Sequence, residues 1–179
     1  MIFVKYTAEY NHIVSSFDCK NTVINNFLKN GMALNKNEGI TYLMLSDNKN
    51  TVIGYYNISA SRLDSIQNVG ENNIYEVMGS AAKINYLAIH KDYQGKLIDV
   101  VGNKKIYFGD LLLDHCEQKI LELSEEIGIS FITLCSTNEG YHLYHDRNDY
   151  EDFEEDMYMI VDENDKNCYK LYKCVDDLY

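Results

Sequence analysis

Proline is absent from the 179 residues, and no Gly/Ser-rich stretch or internal repeat interrupts them, so nothing marks a domain boundary. One domain over 1–179 is the expectation. At this length roughly 70% of the unfolded chain's surface can be buried, and a core needs neither a disulfide nor a metal. Long apolar runs are missing as well. None approaches the ~20 residues that span a membrane, and Met1-Ile2-Phe3-Val4-Lys5 is too short for a signal peptide, which predicts a cytoplasmic protein with no membrane partner. The five cysteines (Cys19, Cys116, Cys135, Cys168, Cys174) form no C-x-x-C pair and no zinc-ligand spacing with the five histidines, so buried thiols and no metal are expected. His142 and His145, one turn apart, have no carboxylate or thiol at matching spacing and are expected on a helix surface. Arginine is limited to Arg62 and Arg147.

What the chain does have is acid. Twenty-eight Asp and Glu against 16 Lys and Arg give a formal charge of −12, which disfavours non-specific attraction to a phosphate backbone over most of the surface. Residues 91–105 are the local exception. Lys91, Lys96, Lys104 and Lys105 outnumber Asp92 and Asp99 there, 4 − 2 = +2. A small cationic island suits a compact phosphorylated ligand better than a long polyanion. On charge alone, a solvated lysine loop is the favoured explanation.

Pattern and punctuation suggest the elements. Phe3 to Tyr6 reads as a first strand, and a helix follows with Asp18 or Asn21 as its cap and Val23, Ile24, Phe27 and Leu28 on its buried face, stopping near Asn30-Gly31. Ile40 to Leu45 and Val52 to Ser59 form a hairpin around Ser46-Asp47-Asn48-Lys49-Asn50. Leu63 to Val77 reads as either a helix or a mobile loop. From Ile106, the positions Ile106, Gly109, Leu113, Cys116, Ile120, Leu123 and Ile127 step by 3 and 4 and predict a long amphipathic helix ending at Gly128. Phe131 to Cys135 is a strand buried on both faces. Glu139 to Asp146 reads as a short helix, and Met157 to Val161 with Tyr169 to Val175 as a closing hairpin around Asp162 to Asn167. The order implies a mixed, mostly antiparallel sheet with helices on its faces, an α/β (α+β) class.

Two features in this order carry chemistry. Amides at a helix start, helped by the helix dipole, bind a pyrophosphate without any dedicated side chain, and Gly109 allows close approach of a ligand. A tyrosine phenol is protonated at neutral pH and can give its proton to a departing thiolate. Tyr144 is the candidate. The motifs Leu87-Ala88-Ile89, Tyr93-Gln94-Gly95-Lys96, Phe108-Gly109-Asp110-Leu111-Leu112-Leu113, Asn138 and Leu143-Tyr144 resemble the successive motifs of the GNAT superfamily of N-acetyltransferases. Phe17-Asp18-Cys19, Asn26-Phe27-Leu28 and Val52-Ile53-Gly54-Tyr55-Tyr56 are similar to its toxin-like bacterial branch.

The resemblance implies a single-domain GNAT-like fold whose sheet splays open beside Ile84 to Ile89, with acetyl-CoA as cofactor. It implies that Leu87, Ala88 and Ile89 hold the acyl-pantetheine arm. It implies that the amides of Gln94, Gly95, Lys96, Phe108 and Gly109 hold the pyrophosphate; in this chain's enlarged loop, Lys104 or Lys105 is expected to add charge. Asn138 touches the pantetheine side, and Tyr144 is the general acid for direct attack by an amine in a ternary complex. Cys135 is a formal alternative nucleophile with no histidine placed beside it. The chain departs from the family where Leu97 to Lys104 interrupts the phosphate loop, where Tyr107 stands at a position usually small, and where Asn148-Asp149-Tyr150 replaces Gly-Phe after the tyrosine.

Three functions follow. The first is acetylation of a small-molecule or peptide primary amine. The second is toxin-like acetylation of aminoacyl-tRNA, against which stand the two arginines and the ten acidic residues of 146–165. The third is a catalytically silent acyl-CoA-binding or protein-interaction module. A homodimer through the Tyr-rich C-terminal strand is a further expectation.

Overall fold

The computed structural model describes residues 1–69, 72–161 and 167–178. Two compact units divide the chain, Met1–Ser59 with Asn85–Cys116 and Ala60–Ile84 with Glu117–Tyr179.

In the first unit, β1 (Ile2–Lys5) pairs antiparallel with β2 (Ile40–Leu45), which pairs antiparallel with the start of β3 (Val52–Val69). The loop between β2 and β3 turns as its Asp/Asn content predicts, with Lys49 left-handed at φ 58° and the Asn48 side chain accepting from Ser46 Oγ at 2.6 Å. A short helix α1 (Asn11–Val14) precedes α2 (Thr22–Lys29). Asn21 caps α2, its Oδ1 accepting from the amides of Val23 and Ile24 at 3.0 and 3.2 Å. Asp18, the other cap candidate, is engaged elsewhere. Phe27 and Leu28 are buried as expected, but Val23 is 56% exposed, because the buried stripe of an eight-residue helix is too narrow to include it. The core gathers Val14, Phe17, Leu28, Leu43, Leu45, Val52 and Tyr55. The Tyr55 hydroxyl, taken into this core, donates to the Ile24 carbonyl at 2.7 Å, which removes the cost of burying an unpaired phenol.

In the second unit, the segment expected as helix or loop belongs to two long strands instead. β3 runs on to Val69 and β4 spans Asn72–Ile89. Strand pairing supplies backbone partners for a stretch whose side chains alone show no clear period. β7 (Phe131–Ser136) runs parallel to β4 from Ala81↔Phe131 to Ile84↔Leu134, while β4 itself continues to Ile89. On its other side β7 pairs antiparallel with β10 (Tyr169–Cys174), as Leu134↔Leu171 illustrates. β10 also meets β8 (Glu151–Asp152), which pairs with it at Leu171↔Asp152 and Tyr172↔Glu151. β9 (Met157–Tyr158) pairs with β3 at Ser65 and Asp64. The expected closing hairpin between 157–161 and 169–175 is therefore corrected, since each half takes a different partner; residues 162–166 of its turn lie outside the described residues.

The long helix α3 spans Phe108–Ile127. Leu113, Cys116 and Ile120 on its predicted stripe are fully buried, whereas Ile127 is exposed at the end. Its start is later than expected. Ile106 belongs to β6 (Lys104–Tyr107), which pairs with β5 (Leu97–Val101) as a separate two-stranded sheet. The interruption of the phosphate loop is thus a β-hairpin. Among the described residues no helix is long and apolar enough to cross a membrane.

Candidate functional site

In the first unit, the C-terminal end of β4 packs where only glycine fits. A Cβ on Gly54 would stand 2.7 Å from Ile89 Cδ1, 2.9 Å from the Ala88 carbonyl oxygen and 3.0 Å from Leu112 Cδ2. This contact seats Ala88, which is buried, and leaves Leu87 and Ile89 half-buried at the strand end. The His90 amide then donates to the Ile53 carbonyl at 2.8 Å, and the chain enters a turn that Gly95, at φ +67°, completes.

The turn is stapled from inside. Gln94 Nε2 donates to the carbonyls of Ile89 (2.9 Å) and Cys19 (3.1 Å), so this side chain fixes the turn's shape and leaves ligand contact to the backbone. Lys91 donates twice to Asp18, from its amide to the carbonyl and from Nζ to Oδ2, both at 2.8 Å. The other Asp18 oxygen accepts from the Lys20 amide at 2.9 Å and Asn25 Nδ2 at 3.0 Å. The Lys91 ammonium, then these amide donors, hold the Asp18 carboxyl well below the usual carboxylate range, and Lys91 is shifted upward in return. The Phe17-Asp18-Cys19 turn and the 90–96 turn are therefore one assembly. Its signal in the sequence was present but ambiguous, since Asp18 reads as a helix cap and Lys91 as one of four loop lysines.

The Tyr93 ring carries the assembly toward α3. It meets Phe108 edge-on at 5.1 Å between centroids, and Lys96 Nζ lies 5.4 Å from its centre. Asp110 Oδ2 accepts from the Tyr107 amide at 2.8 Å, the carboxylate half of a capping box. The next amides, those of Phe108 and Gly109, belong to the first turn of a helix, where N–H groups have no intrahelical partner. Lys105 sits on the neighbouring β6 and is exposed. Leu87, Ala88, Ile89, Gln94, Gly95, Lys96, Lys105, Phe108 and Gly109 are thus all in this unit.

Asn138 and Tyr144 are in the second unit. Asn138 opens α4 (Asn138–Tyr141), where the Thr137 hydroxyl caps by accepting from the Gly140 amide at 3.2 Å. The next segment, His142–Asp146, widens to a π-helical turn, a feature that recurs at functional sites. Tyr144 sits within it, 7% exposed. Its ring meets Tyr150 edge-on at 5.5 Å, and the Tyr150 amide donates to the Tyr144 carbonyl at 3.2 Å. Asp149 between them is left-handed at φ 57°, as the replacement of glycine by Asn-Asp anticipates.

The neighbouring phenol differs. Tyr141 donates to Asp152 Oδ2 at 2.8 Å; desolvation first, then this bond and the nearby carboxylates, raise it to about 12. His142 and His145 lie on the helix surface and both reach Asp146, at 2.8 and 2.9 Å. Cys135 lies in β7 opposite Lys170.

No family model matches the chain, and no curated protein matches it. Solved structures do. The KacTA–DNA complex aligns at 20% identity, covering 99% of this chain and 94% of that one, with a TM-score of 0.65. A Tyr-to-Phe mutant of the AtaT toxin, bound to the C-terminus of the antitoxin AtaR and to acetyl-CoA, aligns at 20% identity over 99% and 94% of the two chains, with a TM-score of 0.63. A Tyr-to-Phe mutant of KacT aligns at 19% over 99% and 96%, with a TM-score of 0.69. At this identity the likeness is one of fold, and it bears out the GNAT-like architecture that the motif order implies.

Proposed function

We propose that this chain is an acetyl-CoA-dependent N-acetyltransferase of the toxin-like kind. The observation that carries the reading is the stapled turn of the first unit: Gln94 and the Asp18–Lys91 pair hold a glycine turn directly after Leu87-Ala88-Ile89, and the first turn of α3 follows. Amides of Gln94, Gly95, Lys96, Phe108 and Gly109 would hold the pyrophosphate, with the charge of Lys105 beside them. Leu87, Ala88 and Ile89 would align the acyl-pantetheine arm through backbone groups, and Asn138 would touch its side. The fold it shares with a toxin solved with acetyl-CoA supports the cofactor.

When bound, acetyl-CoA supplies the thioester whose carbonyl carbon the acceptor amine attacks, forming a C–N bond as the C–S bond breaks. Tyr144 would give the proton of its phenol to the departing sulfur and regain one from solvent, which takes up the proton lost by the amine. No side chain becomes acylated.

Two acceptor classes remain in play. The acidity of the chain favours a cationic small-molecule or peptide amine. The amino group of aminoacyl-tRNA is the acceptor that the resemblance to the toxin-like branch implies, and the AtaT structure bound to an antitoxin segment supports an antitoxin protein as the cellular partner. The test is a calorimetric titration with acetyl-CoA followed by thiol release with a panel of amines that includes aminoacyl-tRNA. Saturable binding with acceptor-dependent release is expected. Binding without release from any acceptor would leave a silent acyl-CoA sensor, and absence of binding would overturn the reading.

A further inference from the structure

We propose that Lys173 is a positioning residue for Tyr144, holding the backbone turn that carries this tyrosine; the inference rests on the acetyltransferase reading above. Lys173 lies on β10, and its side chain and that of Glu117 are each only 10% exposed. Its ammonium donates to Glu117 Oε1 at 3.2 Å and to the Asn148 carbonyl at 3.1 Å, and it lies 5.4 Å from the centre of the Tyr150 ring. Two of these three contacts belong to the turn after the π-helical segment.

That turn closes on itself. Asn148 Nδ2 donates to the Leu143 carbonyl at 2.7 Å, and the Tyr150 amide donates to the Tyr144 carbonyl at 3.2 Å. Between these bonds stands Asp149 in the left-handed region at φ 57°, a conformation open to Asp but to few other residues with a Cβ. The Asn148 carbonyl, the group that Lys173 grips, precedes it directly. Lys173 thus pins this peptide from outside while Asn148 pins it from inside, and the Tyr144–Tyr150 ring contact passes the constraint to the phenol.

A buried ion pair has no general advantage in stability. Taking both charges out of water costs several kcal/mol per ion, and apolar replacements of both partners are often neutral. A purely structural role would therefore leave a lysine here unexplained, whereas its hydrogen bond to the Asn148 carbonyl and its place over the Tyr150 ring account for it.

The test compares the wild type with Lys173→Met and with the double variant Lys173→Met/Glu117→Gln, which removes both charges of the pair. Hydrogen exchange at the Tyr150 amide and acceptor-dependent thiol release are measured together. Exchange at Tyr150 is expected to rise about tenfold or more, without loss of the folded state. Turnover is expected to fall about tenfold with the KM for acetyl-CoA within a few-fold. Unchanged exchange in a folded double variant overturns the inference, as does faster exchange with unchanged turnover. An unfolded double variant overturns it too, because Lys173 would then be a stability element. A wild type that releases no thiol sinks the acetyltransferase reading instead, and the exchange arm still decides whether Lys173 holds the turn.

Discussion

Three tyrosines within ten residues have separate fates set by their neighbours. Tyr141 gives its hydroxyl to Asp152 and is raised to about 12, Tyr150 packs under Lys173, and Tyr144 sits on the π-helical turn. Among them Tyr144 is the one proposed to move a proton. Replacing it with phenylalanine keeps the ring contact and removes only the hydroxyl, so turnover is expected to fall by ~10²-fold or more with acetyl-CoA affinity within a few-fold. Thiol release and calorimetry read the two quantities, and unchanged turnover removes Tyr144 from the role. Gly54 makes the opposite kind of contribution, by what it lacks. A methyl group there would meet the Ala88 carbonyl oxygen at 2.9 Å, and backbone cannot step aside as a side chain does. Gly54→Ala is expected to destabilise the protein by about 1–3 kcal/mol, measured by urea unfolding.

At the scale of elements, the staple between the 17–19 and 90–96 turns has a pH signature. Because the Asp18 carboxyl is held below its ordinary value in the folded state, its contribution is fully present above the unfolded carboxylate value, about 3.9, and is lost as the pH falls from there toward the folded value. The pair is solvent-exposed, with Lys91 and Asp18 44% and 36% accessible, so the effect is a modest one. Asp18→Asn is expected to make the melting temperature depend less steeply on pH between about 5 and 2, as scanning calorimetry at a series of pH values would read. An unaltered slope would mean that the pair exerts no net pull. Elements differ, too, in how far the sequence discloses them. The β7 strand and the middle of α3 were legible because their apolar residues follow one period and are buried on it. The stretch from Leu63 to Val77 was not, because β4 exposes Ile74, Tyr75, Val77 and Met78 on both faces, which erases the alternation that marks a half-buried strand. Likewise Met157 and Tyr158 pair with Ser65 and Asp64, some ninety residues upstream; no local signal encodes a partner that distant. Within the candidate site, the glycine turn and Tyr144 are motif positions that the sequence offers as proposals, while Lys173 carries no such signal, since its partners Glu117, Asn148 and Tyr150 meet it only in the fold.

For the whole molecule, the chain passes between the two compact units three times, within β3, within β4 and within α3. The β5–β6 hairpin forms a two-stranded sheet of its own, and at its tip Gly102, at φ +60°, has no neighbouring atom within 4 Å of where a Cβ would be. Foreign sequence spliced in at that tip would extend into solvent, so the finger offers a place to graft an epitope or a fluorescent reporter next to the lysines proposed to face the cofactor.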